Sequence, residues 1–223
     1  MTKSRKLAAF AVIVFFLSAV SLVSRAQEEE EDDENPHIFY AGFVLGGNFT
    51  QIDGDNFAGY HKVGLNVGGI GYAQLRKHLA LSYEILYSQK GSKSDITRYA
   101  TDSNIVITKY DIKLNYAEIP IMINYFDSRK SHFGIGLSYS QLVSSSESLT
   151  TIPATNIDLT KYPFKKQNLD FLVGAQLHLY KGFFLNFRFQ YSITPVRSNV
   201  PPDFSRSQEY SNMFAVRLMY LFI

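Results

Sequence analysis

The sequence predicts an all-β fold: an eight-stranded antiparallel up-and-down transmembrane β-barrel with short periplasmic turns and long extracellular loops. Three observations carry it. Eight runs alternate apolar and small polar residues with a period of two, which turns successive side chains to opposite faces of a strand. The connections alternate between short and long, as on the two rims of an outer-membrane barrel. The aromatics of the apolar face gather towards the run ends, where a membrane barrel carries its girdles.

Before the runs come two segments of other character. Residues 1–26 have a basic start (Lys3, Arg5, Lys6), an apolar stretch Leu7–Val23, and small residues in Ser24-Arg25-Ala26 before Gln27. This is the pattern of a cleaved secretory signal, so export from the cytoplasm to the outer membrane of a Gram-negative cell is expected. An uncleaved anchor is the rival reading, since the apolar stretch sits at the lower edge of a spanning helix. Residues 27–37 hold seven consecutive acids, Glu28–Glu34, and are expected to be a solvated, disordered leader. The barrel domain is expected to be residues 38–223.

The runs are Ile38–Thr50, Lys62–Leu75, His78–Gly91, Tyr110–Phe126, His132–Val143, Asn168–Tyr180, Phe183–Thr194 and Tyr210–Ile223. Short turns fall near Arg76-Lys77, Asp127–Ser131 and Lys181-Gly182, and the intervening connections are long and polar. The sixth and seventh runs form the clearest hairpin. Leu169, Phe171, Val173, Ala175, Leu177 and Leu179 share one face of the first strand, and Phe183, Leu185, Phe187, Phe189, Tyr191 and Ile193 one face of the second. The first two runs alternate less cleanly because glycine interrupts them. In the fourth, Tyr110, Ile112 and Leu114 have one parity and Ile119, Ile121, Ile123 and Tyr125 the other. A β-bulge within Asn115–Glu118, beside Pro120, is the expected cause.

A soluble barrel would place the apolar face inside. Here the opposite face is mostly Gly, Ser, Asn and Gln, whereas a water-exposed sheet surface carries many Lys and Glu, so the apolar face is expected to meet lipid. Phe39, Tyr125, Phe133, Phe183, Tyr220 and Phe222 should mark the periplasmic girdle. Phe49, Tyr87, Tyr110, Tyr139 and Tyr191 should mark the outer one. From Phe183 to Tyr191 is about 26 Å of strand, roughly 20 Å after tilt, close to the ~25 Å of a lipid-facing band.

The residues Glu84-Ile85-Leu86-Tyr87-Ser88-Gln89-Lys90-Gly91 and Leu114-Asn115-Tyr116-Ala117-Glu118-Ile119-Pro120 resemble two blocks of the PorT-like outer-membrane β-barrels of Bacteroidota-type bacteria. Gly42–Phe49 also fits, and the resemblance runs from Ile38 to Phe222. It implies a barrel of generic role; a part in protein secretion, the namesake's system, is the alternative.

Composition removes several functions. There is no cysteine, hence no disulfide, thiolate metal site or lipid-anchored N-terminus. Loss of the signal would leave 18 basic against 20 acidic residues, and the body beyond the acidic leader would be only mildly basic. No nucleic-acid partner is expected. An eight-stranded barrel is just wide enough for side chains to fill it, so the lumen should be closed and polar. The inward face should carry Lys62, Glu84, Lys90, Glu118, Asp170, Arg188 and Arg217. Charges removed from water must pair, which makes Glu84, Glu118, Asp170, Arg188 and Arg217 a candidate network, the two glutamates bridging to the two arginines. A narrow, porin-like channel is the sharper alternative.

Two further readings start from residue type. His78, His132 and His178 fall near the periplasmic rim, but a metal site needs a third or fourth convergent donor, and ordinary packing is preferred. Ser138 and Ser140 with His132 or His178 have the groups of a lipid-modifying enzyme; a catalytic triad is defined by geometry, and a non-enzymatic barrel is expected. No cofactor or metal is expected. The expected partners are outer-membrane lipid and lipopolysaccharide, with secretion or surface proteins as candidates at the long loops, and a monomer is expected. Lys161, Tyr162, Lys165 and Lys166, basic and aromatic within one long loop, are the candidate loop binding surface.

Overall fold

The computed structural model describes residues 39–55, 57, 59–94, 98–99, 106–128, 130–154, 158–201 and 205–222. The expected signal and acidic leader lie outside the described residues. The strands are β1 (Phe39–Asp55), β2 (Lys62–Arg76), β3 (Leu79–Ser94), β4 (Arg98–Tyr99), β5 (Val106–Phe126), β6 (His132–Ile152), β7 (Gln167–Tyr180), β8 (Phe183–Ser192) and β9 (Ser205–Phe222). β4 is a two-residue rung on the far end of β5. The other eight form a ring of antiparallel neighbours in which β3 pairs with β5 and β9 closes on β1. Closure leaves no unpaired sheet edge to face lipid, which is the condition for a sheet to cross a membrane.

The expected runs are all present, and most strands extend beyond them on the long-loop side. β5 and β6 have 21 residues each. The Ser/Thr-rich stretch after Val143, expected to be loop, continues the ladder opposite β5 as far as Ile152 paired with Val106. It contains no glycine and no proline before Pro153, so nothing in it interrupts pairing.

Glycines in the first hairpin face large neighbours: Gly42 lies opposite Ile70, Gly69 opposite Phe43, and Gly47 opposite Leu65. The weak alternation there is completed across the strand pair. At Gly46 a Cβ would collide with the Val216 carbonyl, so β1 and β9 approach closely where Arg217 turns inward.

The outward residues form a lipid-facing belt. Phe39, Tyr125, Phe133, Phe183, Tyr220 and Phe222 are exposed at the short-turn end, and Phe49, Tyr87 and Tyr139 at the other limit. Neighbouring rings reinforce the girdles, with Phe183 and Tyr220 centroids 4.8 Å apart and Tyr191 stacked on Tyr210 at 6.3 Å.

Tyr110 departs from expectation: it is fully buried inside the barrel, not on the outer girdle. The inferred bulge is also misplaced. Along β5 the even positions from Tyr110 to Asn124 are buried without interruption, so this strand keeps its phase. The register shift lies across from it, where Asn115 pairs with Ser144 but Tyr116 pairs with Leu142. Val143 is the extra residue, and it belongs to β6. Below it Ser138 and Ser140 face inward; above it the parity flips, so that Glu147 and Leu149 turn towards the interior and Ser146 and Ser148 outward. The slip in the sequence of β5 therefore marks a change in what the lumen contains. Pro120 is accommodated by a gap in the β3 ladder, where Tyr83 pairs with Ile121 and the next pair is Leu86 with Glu118.

Two apolar clusters close the ends. Tyr72, Ile70, Ala80, Phe184, Met219 and Leu221 pack at the short-turn end. Ile52, Phe57, Ile107, Tyr110, Ile112, Leu114, Tyr116 and Val196 fill the outer half.

Candidate functional site

Between the clusters lie two ionised triads, each set by inward positions of neighbouring strands. In the first, Glu84 of β3 takes both arginines. Arg188 donates from Nη2 to Oε1 and from Nη1 to Oε2 at 3.1 Å, and Arg217 donates from Nη1 to Oε2 at 2.8 Å. Arg217 is further fixed by Asn186, 2.8 Å from Nε, and by Asn66, 3.2 Å from Nη1. In the second, the Lys90 ammonium sits 2.5 Å from Glu118 and 2.9 Å from Asp170. Ser140 donates to Asp170 at 2.8 Å, Gln190 at 2.6 Å and Asn168 at 2.5 Å.

One triad carries a net single positive charge and the other a net single negative charge. Arg188 and Gln190 are successive inward residues of β8, so the two excess charges are adjacent and cancel. Every charged member is at most 2 % exposed. Charges so far from water are tolerable only because each has an opposite charge and further hydrogen bonds.

All five residues expected in the network are in it. The pairing differs in one respect: both arginines go to Glu84, and Glu118 goes to Lys90 with Asp170. The expected bridge from Glu118 to an arginine is not formed, because Lys90 from the adjacent β3 reaches Glu118 first. Lys90 therefore belongs to the network, and balancing the inward charges would have found it. Lys62 lies nearer the outer rim and binds Asp111 at 2.5 Å.

Sequence reasoning missed a third charged group in the outer half. Arg197, 0 % exposed, donates from Nη2 to Glu147 at 2.8 Å, and its Nε lies 3.2 Å from Glu209. Tyr110 donates to the other oxygen of Glu147 at 2.6 Å, and the Arg197 guanidinium covers the Phe164 ring at 3.8 Å. These residues come from five separated stretches, and only the flip at Val143 brings Glu147 inside. Beyond the outer girdle, Asp55 accepts from the Phe57 amide at 2.9 Å. Burial pushes its carboxyl up to about 7, against the lowering effect of that bond and with Glu209 and Asp53 adding repulsion.

The three rim histidines are separate. His132 is buried; its Nδ1 donates to the Lys130 carbonyl at 3.2 Å, which leaves Nε2 to accept from the Tyr72 hydroxyl at 2.9 Å. The exposed His78 meets the Phe126 carbonyl, and His178 donates from Nε2 to the Lys181 carbonyl at 2.7 Å. Among the described residues no group of three or more His, Cys, Asp or Glu is placed to hold a metal. Ser140 is spent on carboxylates and His132 on Tyr72, so these two are not joined as nucleophile and base.

The basic loop folds back onto the outer rim. A short 3-10 turn, Leu159–Lys161, is capped by Asp158, which accepts from Thr160 N at 3.2 Å. Leu142 donates to the Lys166 carbonyl and Lys165 to the Val196 carbonyl, both at 2.8 Å. Lys161, Lys165 and Lys166 are thereby left exposed on a pinned backbone, with Tyr162 half-buried beside them.

A closed ring with a lipid-facing belt and an ion-paired interior defines an integral outer-membrane barrel. The chain belongs to the outer membrane protein β-barrel domain family, whose model matches residues 26–198. A comparison with curated proteins returns no match. Among solved structures, the chain is similar to Ail, the attachment invasion locus protein of Yersinia pestis, with 10 % identity over 82 % of this chain and 98 % of that one and a TM-score of 0.42. It is similar to Neisserial surface protein A at 11 % identity over 84 % and 99 %, TM-score 0.43. It is also similar to OprG of Pseudomonas aeruginosa at 12 % identity over 82 % and 94 %, TM-score 0.39. The protein resides in the outer membrane.

Proposed function

We propose that this protein is a sealed, non-enzymatic outer-membrane scaffold that acts through its outer loops and the lipid around it. The observation behind this reading is the lumen: two mutually neutralising triads, capped at both ends by apolar clusters. Moving an ion through would require breaking buried pairs, each break costing about 3–5 kcal/mol. Planar-bilayer recording of the purified, folded chain tests it. The expected trace shows no unitary events; steady single-channel steps would overturn the sealed reading. The exposed Lys161, Lys165 and Lys166 suit the phosphates of lipopolysaccharide or an acidic surface partner, and neutralising all three should weaken lipopolysaccharide binding.

The finer PorT-like reading, with a secretion role, ranks second. The blocks that carry the resemblance supply Glu84, Lys90, Leu114, Tyr116 and Glu118, all buried in the interior. They support a shared lumen more than a shared partner surface. Co-purification of secretion-system subunits with the native protein would reverse the order.

A further inference from the structure

The periplasmic rim holds a feature that the sealed lumen does not use. Among the described residues only two that are not glycine have positive φ, Lys130 at 65° and Lys181 at 49°. Lys130 lies in the β5–β6 turn and Lys181 in the β7–β8 turn. Both occupy a conformation that favours glycine or asparagine, because a Cβ there crowds the following carbonyl oxygen. In each case a histidine holds the backbone there: His132 Nδ1 donates to the Lys130 carbonyl at 3.2 Å, and His178 Nε2 donates to the Lys181 carbonyl at 2.7 Å. The two turns are tied together by the His178 amide, which donates to the Ser131 hydroxyl at 3.2 Å.

These two lysines line one open cleft of about 370 Å³, with His178, Gly182, Tyr220 and Leu221 as its other walls. Lys130 and Lys181 are both exposed. Tyr220 belongs to the girdle, so the cleft opens where phospholipid headgroups meet water. One carboxylate, Asp127, stands in the same β5–β6 turn as Lys130.

We infer that this cleft binds the headgroup phosphate of an anionic glycerophospholipid in the periplasm-facing leaflet. The lysines supply point charges to the phosphodiester, and Tyr220 and Leu221 flank the glycerol and acyl region. The histidine-pinned turns fix the backbone from which both lysines rise beside the cleft, and the Lys181 ammonium lies 5.2 Å from the centre of the neighbouring Tyr180 ring, within reach of the opening. The inference rests on the rim alone and is independent of whether the lumen conducts.

The test uses the full chain, folded in detergent, and native mass spectrometry with phosphatidylglycerol and phosphatidylcholine offered in equal amounts. The wild type should retain phosphatidylglycerol about tenfold over phosphatidylcholine, about 1.4 kcal/mol. The Lys130→Gly/Lys181→Gly variant suits the backbone, so its melting temperature should be equal or higher while the preference disappears. Lys130→Arg/Lys181→Arg should keep the preference. The proposal is overturned if the glycine variant retains the wild-type preference, or if the wild type shows none. Release of the lipid by millimolar inorganic phosphate would also overturn it, since the site would then be one for free phosphate.

Discussion

The two halves of β5 follow opposite rules within one unbroken strand. In the half towards the periplasm, Ile119, Ile121, Ile123 and Tyr125 point out and Glu118, Met122 and Asn124 point in. In the outer half, Lys109, Asp111, Lys113 and Asn115 point out and Tyr110, Ile112, Leu114 and Tyr116 point in. The first half is a membrane barrel, polar inside and apolar outside; the second is built like a soluble protein. The solvent outside explains the exchange. A 21-residue strand is about 70 Å long, or roughly 53 Å along the barrel axis after tilt, about twice the ~25 Å lipid-facing band. Beyond the band the barrel wall meets water, and burying apolar surface inside again becomes favourable. The difference teaches that inner charge and outer lipid belong together. Where the outside is apolar, the interior is held by two ion-paired triads next to a small apolar cluster at the short-turn end; where it is aqueous, by a larger apolar core with one buried Arg197 group.

Breaking the inner half should have the largest effect. Glu84→Gln leaves Arg188 and Arg217 facing each other without their shared carboxylate. Loss of a buried partner costs about 3–5 kcal/mol, so the urea midpoint in lipid vesicles should fall sharply. Next in size is the outward face. Ile121→Arg places a charge in the middle of the belt and should cost about 2–4 kcal/mol. Lys113→Leu, eight residues along the same face, should change stability by less than about 0.5 kcal/mol. Equal effects of these two substitutions would remove the distinction between the halves.

A further effect is a pH dependence that arises in the outer half. Asp55 has its carboxyl raised from 3.8 to about 7 by burial, so the folded state holds a proton that the unfolded state releases. Its contribution is most favourable below the unfolded value, falls as pH rises from about 4 to about 7, and is fully lost above that. Asp55→Asn should therefore flatten the decline in urea midpoint between pH 4.5 and pH 8; an unchanged decline would assign it to other groups.

Much of the inner half was legible in the sequence, because period-two alternation shows both the strands and their faces. The five network residues were readable from parity alone, since every inward charge in a narrow lumen must find a partner. Their partners were harder to read: which carboxylate meets which cation depends on the stagger of strands around the ring, and alternation carries no information about stagger. In the outer half the same alternation misled. Tyr110, Ile112 and Leu114 look like a continuation of the lipid face only if the whole strand lies in lipid. Their outward neighbours Lys109, Asp111 and Lys113 were the available signal that it does not. The bulge at Val143 had no signal of its own, because Leu142 and Val143 suit either face. Glu147, Arg197 and Glu209 were out of reach for that reason, being joined by a flip in one strand and a fold-back in a loop.

The central claim is that the solvent outside the barrel changes from lipid to water within β5 while the strand continues. Because the chain has no cysteine, single cysteines at Ile121 and Lys113 can each carry a nitroxide without background labelling. Collision of the spin label with oxygen and with a water-soluble nickel chelate, measured in lipid vesicles, reports the local solvent. The label at 121 should be quenched mainly by oxygen and the label at 113 mainly by the chelate. Oxygen-dominated quenching at both positions would contradict the account.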